Sequence, residues 1–253
     1  KASTVWEIQT KSKFESPPLL SEENLFLVDG SSPSFRLKCF RLVGQEEPKL
    51  FWTCKLSAPF SIPPILLKNM LYWTSEEKLI VFEMDTKKNK IQGPILQSST
   101  IGNLVGSIRY IEKEKVFCVV SSAGQLFLLN ETDLKVKRKI ILPAPLLGEV
   151  QISNEHILTL CANNTLYAYE IQGTQTSWKW KQELPDVPVN SIVLDQKKQL
   201  LYTATKQGWV YAFTYEGQIA WVHWSKQSIN NLALVQEVLI LSGDSLIALT
   251  LQD

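Results

Sequence analysis

The stretch Val210–Trp224, VYAFTYEGQIAWVHW, decides the fold. β-Branched and aromatic residues alternate through VYAFT, Tyr215-Glu216-Gly217 supplies a turn, and a second apolar run resumes at Ile219. That pattern predicts two short strands joined by a tight connection. A lone two-stranded hairpin buries too little to hold itself together in water, so the unit has to recur for the chain to fold.

It recurs along the whole chain. NLFLVDG, MLYWTSEE, VFCVVSSAG, ILTLCANN, LLYTATKQG and VLILSGDS are apolar runs that each end in turn residues. They stand roughly 40 residues apart, the length of a four-stranded propeller blade. Each is followed by a second strand, such as LYAYEIQG or VYAFTYEG, and preceded by a shorter one, such as GSIRYI or EVQIS. Fourth strands close the first five units; the chain ends before the sixth has one, and TVWEIQTK near its start has the fourth-strand pattern with no unit of its own. The expected fold is therefore an all-β, six-bladed β-propeller of four-stranded antiparallel blades, its ring closed by the strand Thr4–Lys11 completing the last blade. The expected organisation is one domain over 1–253, with blades near 12–57, 58–98, 99–142, 143–184, 185–225 and 226–253 plus 1–11. Turn clusters interrupt the chain too often for amphipathic helices.

Composition sets outer limits on function. Charge is nearly balanced, with 26 Lys and Arg against 25 Asp and Glu, which argues against nucleic acid as a partner. No apolar run reaches the roughly 18 residues of a membrane span. The four cysteines, Cys39, Cys54, Cys118 and Cys161, form no C-x-x-C and sit in apolar strands, so they read as buried, reduced thiols. Cys39 and Cys54 fall on neighbouring strands and could bridge in an oxidising compartment. KASTVWEIQT carries no long apolar leader, which leaves the compartment open, while cysteines read as reduced thiols point to an intracellular protein, cytoplasmic or nuclear.

The WD-type signature of Gly-His and Trp-Asp is missing from every unit. The third and fourth strands instead resemble the pyrroloquinoline-quinone-type repeat of the wider WD-like propeller superfamily, in which an aromatic-Ala strand runs through a Gly turn into a strand carrying Trp. Ala212, Gly217 and Trp221 match it, as do Ala168, Gly173 and Trp178; Ala248 matches its first half. The resemblance implies Trp residues wedged between blades: Trp178 and Trp221, with Trp6 and Trp52 as further equivalents. It does not bring the quinone with it, because many similar domains are non-enzymatic scaffolds, including outer-membrane assembly lipoproteins and propellers appended to adenylating enzymes. The quinone dehydrogenases add acidic metal ligands and a larger blade count that this sequence lacks.

Chemistry-bearing motifs are sparse. His156 and His223 are the two histidines, and there is no G-x-S-x-G elbow, P-loop, dinucleotide fingerprint or H-E-x-x-H. No catalytic set, metal site or cofactor is expected. The basic run LKVKRK reads as the solvated edge of an outer strand. Arg109, with Gln151, falls on innermost strands and could line a central channel, which keeps a small-molecule binder or a hydrolase- or lyase-type propeller as the alternative function.

The two sets of loops differ in composition. Loops between first and second and between third and fourth strands are charged, as in SEEN, EKEK, DQKKQ and DTKKNK. Loops between blades and between second and third strands are poor in charge, with apolar tips at Phe14, Phe60, Leu146, Val187 and Trp209 beside Lys206. Depleted charge with retained aromatics is the composition of an interface core. The leading expectation is a non-catalytic protein-interaction scaffold that binds a segment of another protein, or of another domain of its own chain, on this face. A purely architectural spacer is the third reading.

Overall fold

The computed structural model describes residues 6–9, 14, 18–21, 23–31, 34–44, 46–56, 62–75, 77–85, 90–153, 156–172 and 176–251. They group into two compact units, Lys1–Ile108 with Leu129–Lys137, and Arg109–Leu128 with Arg138–Asp253.

In the first unit, β1 (Leu19–Ser21), β2 (Asn24–Ser31), β3 (Ser34–Arg41) and β4 (Lys49–Leu56) form one antiparallel meander, and β5 (Ile65–Leu67), β6 (Met70–Ser75), β7 (Lys78–Asp85) and β8 (Lys90–Gln97) form another. A third meander, β9 (Leu104–Ile111), β10 (Val116–Ser121), β11 (Gln125–Asn130) and β12 (Val136–Ile141), is divided between the units. The second unit adds β13 (Leu146–Ile152), β14 (His156–Cys161), β15 (Thr165–Glu170) and β16 (Trp180–Glu183), then β17 (Val193–Asp195), β18 (Leu200–Ala204), β19 (Trp209–Thr214) and β20 (Ile219–Trp224), and last β21 (Ile229–Val235), β22 (Val238–Gly243) and β23 (Leu246–Thr250). One 3-10 turn, Glu112–Glu114, is the helical element among the described residues.

Six meanders in chain order match the six repeats of the sequence. The last has three strands among the described residues; of the expected closing strand, Trp6–Gln9 are described and lie outside any strand.

Strands buried on both faces explain why the second strands read as continuous apolar runs rather than alternating ones. β10 and β14 are buried at every position. β19 shows the cause. Its Tyr211 and Phe213 pack with Leu158, Leu160, Leu166 and Ala168 of the preceding sheet, while Val210 and Ala212 pack with Leu239 and Leu241 of the following one. Each inner strand is thus the filling between two sheets, and its alternation sorts side chains between two cores. In the first unit Phe26, Val28, Leu37, Cys39 and Trp52 share a core with Leu71, Trp73, Phe82 and Met84 in the same way.

All four cysteines are free. Cys39 faces Trp52 across the ladder and Cys54 faces Leu37, so neighbouring strands do not bring the two thiols opposite each other. Burial pushes the Cys39 and Cys118 thiols up to about 12, which keeps them protonated and inert.

The basic run on β12 needs a correction. Lys137 and Lys139 are exposed, but alternation sends Arg138 inward, where it is 8% exposed and its Nη1 donates to the Glu170 and Ile171 carbonyls at 2.7 and 3.2 Å. It ties one sheet to the third-to-fourth connection of the next. Burial lowers its pKa, partly offset by Glu170.

Candidate functional site

Within the second unit, hydrogen bonds show which connections share an edge. The β18–β19 turn is bound by the segment before β17: Lys206 N–H donates to Val187 O at 2.8 Å, and Gln207 N–H to Asp186 Oδ2 at 3.1 Å. The segment before β21 continues the chain of bonds, with Ser225 N–H on Gly208 O and Ile229 N–H on Lys206 O. Gln227 then clasps Ser245 of the β22–β23 turn, donating through Nε2 to its carbonyl and accepting from its N–H at Oε1, each at 3.1 Å. One sheet earlier, Ala162 N–H meets Pro145 O. Connections between sheets and between second and third strands therefore form one stitched edge. Gly208 is required there: at φ +100, an added Cβ would sit 2.2 Å from Gln227 O.

This edge brings Val187, Lys206 and Trp209 together. Val187 is 46% exposed and Trp209 38%, and Trp209 stacks on Trp224 with centroids 6.0 Å apart and planes at 28°. Asp186 accepts from its own neighbour's N–H as well, at 2.6 Å from Val187 N, and its charge adds to the burial that raises the nearby Tyr211 hydroxyl. Leu146 opens β13 and is half-buried opposite Cys161, beside the Pro145 bond. Phe14 belongs to the first unit, exposed in an isolated bridge with Asp29. Phe60 lies outside the described residues.

Other connections of the unit meet elsewhere. Gln172, after β15, donates to Glu114 Oε1 at 2.8 Å in the turn before β10. A cavity of about 250 Å³ lies there, lined by Lys113, Glu114, buried His156, Glu170 and Gln172. His156 opens β14, its N–H on Ser153 Oγ at 3.0 Å.

Arg109 and Gln151 line one cavity of about 590 Å³ with Tyr110, Ile192, Leu194 and Leu232. The guanidinium is engaged already, with Nε on Val150 O at 3.0 Å and Nη2 on Glu149 at 2.7 Å. The acids on the inner strands β13 and β17 are likewise taken: Glu149 by Arg109, and buried Asp195 by the N–H groups of Lys197 and Lys198. This donor set does not fit a metal-bound quinone. Among the described residues no group of three or more His, Cys, Asp or Glu could hold a metal ion.

The tryptophans divide. Trp221 pairs with Ala212 across the β19–β20 ladder and packs on the core shared with the last sheet. Trp52 occupies the corresponding place in the core of the first unit. In the fourth sheet the residue facing Ala168 is Trp180, two positions on from Trp178, which is exposed outside β16 and touches the Tyr167 ring. Trp180 donates Nε1 to Tyr215 O at 2.9 Å, Gln182 Nε2 reaches Gly217 O at 2.7 Å, and Gly217 lies on the Trp180 indole. Trp6 is exposed outside any strand.

Repeated meanders, an Ala facing a Trp across the third and fourth strands, and a Gly turn against the preceding sheet's Trp lead to one family. A family profile described as outer membrane protein assembly factor BamB, a PQQ-repeat β-propeller family, matches residues 89–252. The chain belongs to this family. BamB from Moraxella catarrhalis is similar in structure, with a TM-score of 0.69 at 12% identity over 97% of this chain and 75% of that one. The computationally designed Ika8 protein is similar too, at TM-score 0.67 and 10% identity over 98% and 74% of the two chains. The fold is thus a BamB-like β-propeller with PQQ-like repeats. No curated protein sequence matches the chain.

The family overturns the expected intracellular placement, since it is described by assembly at an outer membrane. Free thiols could not decide the matter: Cys39, Cys118 and Cys161 are buried as expected, whereas Cys54 is only half-buried. Burial between sheets keeps a thiol inert in any compartment, and no partner thiol is in place to report an oxidising one. Among the described residues no helix is long and apolar enough to cross a membrane.

Proposed function

We propose that this chain is a non-catalytic scaffold that holds a segment of a partner protein on the stitched, charge-poor loop edge, as one component of a larger assembly. The observation that carries the reading is the edge itself. Backbone bonds fix neighbouring connections in place while Val187 and Trp209 project from them. Rigidly held loops with exposed apolar and aromatic tips suit recognition at low entropic cost. The family's description as an assembly factor supports a protein partner. We also propose that the six sheets form one closed propeller domain, with Thr4–Lys11 pairing against β23 as its fourth strand.

The test is capture of partner protein on the immobilised chain, comparing Val187→Ser with Trp209→Ser against Lys197→Ser in the β17–β18 connection. The two edge variants are expected to lose at least tenfold in affinity with melting temperatures within a few degrees of the parent; the control keeps its affinity. Unchanged capture by both edge variants would falsify the assignment.

The cavity around Arg109 favours the channel reading by its volume, which is within the range of small-molecule sites. Its guanidinium is already engaged by Glu149 and the Val150 carbonyl, so the loop edge is the better supported surface.

A further inference from the structure

The outer strand of each meander ends in a free ladder edge, and natural sheets blunt such edges with charge, proline or bulges. Four of the five fourth strands here do so. β4 carries Lys49 and Lys55, β8 carries Pro94, β12 carries Lys137 and Lys139, and β16 carries Lys181 paired with Glu183. β20 reads IAWVHW, with no Lys, Arg, Asp, Glu or Pro. It is the outermost strand of its sheet, and it is exposed at every position but Trp221, including Ile219 at 54%, Val222 at 44% and Trp224 at 50%. The bulge opposite Ala212 and Phe213 bends only its start, leaving Trp221–Trp224 in regular register. In composition β20 resembles the interior strands β11 and β19, which have a neighbour on both sides.

We propose that β20 is a self-association edge, through which two copies of this chain pair antiparallel across a two-fold axis at Val222. Charge is the argument for a second copy as occupant. A two-fold axis sets a strand against itself, so any Lys-rich edge such as β12 would place like charges opposite one another, which is destabilising. An uncharged edge is compatible with its own copy. Pairing centred on Val222 also sets Trp221 across from His223 of the second copy, within the regular part of the strand. It would cover Trp224 and the Trp209 ring stacked on it, aromatic surface of the kind that interface cores are enriched in.

The experiment is sedimentation velocity with light scattering on the whole chain from 1 to 100 µM. The parent is expected to dimerise across that range. Val222→Lys and Val222→Asp should each be monomeric throughout, while an equimolar mixture of the two should recover the dimer, because opposite charges then meet at the axis. That recovery cannot arise from a folding defect. Ile141→Lys on β12, also an exposed outer-strand position, should leave dimerisation unchanged. A parent monomeric at 100 µM, a dimer that survives Val222→Lys, or a mixture that stays monomeric each overturns the proposal. So does a monomeric parent that takes up an added extended peptide along β20, since the occupant is then another chain. Because the dimer would cover Trp209, it competes with the loop-edge reading for that ring; Val222→Lys separates the two, since it removes the β20 pairing and leaves Val187 and Trp209 in place.

Discussion

Gly217 shows how a single residue records the packing of two sheets. Its φ of +85 favours glycine, and a Cβ there would lie 2.5 Å from Trp180 Cδ2. Gly217→Ala should therefore cost about 2 to 4 kcal/mol, from backbone strain plus the indole's displacement. For a chain of this length that is a fall in melting temperature of roughly 5 to 15 °C. Gly44 separates the two causes: its φ is +56, but nothing lies within 4 Å of its added Cβ. Gly44→Ala should cost only about 1 kcal/mol, and equal thermal shifts for the two variants would show that the Trp180 contact contributes nothing. The sequence signalled the Gly and the Ala of this motif but not which Trp they meet. Trp178 and Trp180 have the same parity along a strand, so alternation cannot choose between them; the length of the connection after β15 does. Arg138 was hidden for the opposite reason. Its neighbours Lys137 and Lys139 made the run look uniformly solvated, although alternation alone would have turned every second residue inward.

At the scale of the strand, the sequence was legible wherever burial was complete. β10, β14 and β19 stood out because packing between two sheets demands apolar residues at nearly every position. The loop sets were legible too, since hydrogen bonding within the second unit joins the charge-poor connections into one edge. What composition could not give was their exact stitching, which rests on backbone groups that any residue supplies. The proposed closing strand belongs at this scale. β23 has no charged residue and, among the described residues, no strand on its outer side, like a strand meant to be covered. Deleting residues 1–11 is expected to lower the melting temperature by at least 5 °C and to speed hydrogen exchange at Leu246–Thr250. Exchange in β23 that is unaltered by the deletion would refute the pairing.

Across the whole molecule, burial of neutral acids should make stability sensitive to alkali. Cys39 in the first unit and Cys118 in the second are both pushed from near 9 up to about 12 by burial, which is the larger effect against their arginine neighbours. Tyr202 is raised to about 12, by burial first and then by the Asp195 charge. A raised pKa means that the folded chain holds its proton where the unfolded chain has released it. The stability these groups contribute is therefore complete below about pH 9 and is lost as pH climbs towards 12. One thiol kept protonated 1.5 pH units above its ordinary value costs about 2 kcal/mol, so two would lower the melting temperature at pH 10.5 by roughly 10 °C relative to pH 8. Acid should act less: the lowered carboxyls of Asp133 and Glu170 stand at the surface, where water screens their partners. Thermal melts under reducing conditions from pH 4 to 11 would read this asymmetry. Cys118→Ala should start from a lower plateau and fall less between pH 9 and 11, because its thiol no longer has a proton to lose. A parallel decline of parent and variant would assign the alkaline loss to other groups, with the buried tyrosines Tyr202 and Tyr215 as the next to substitute.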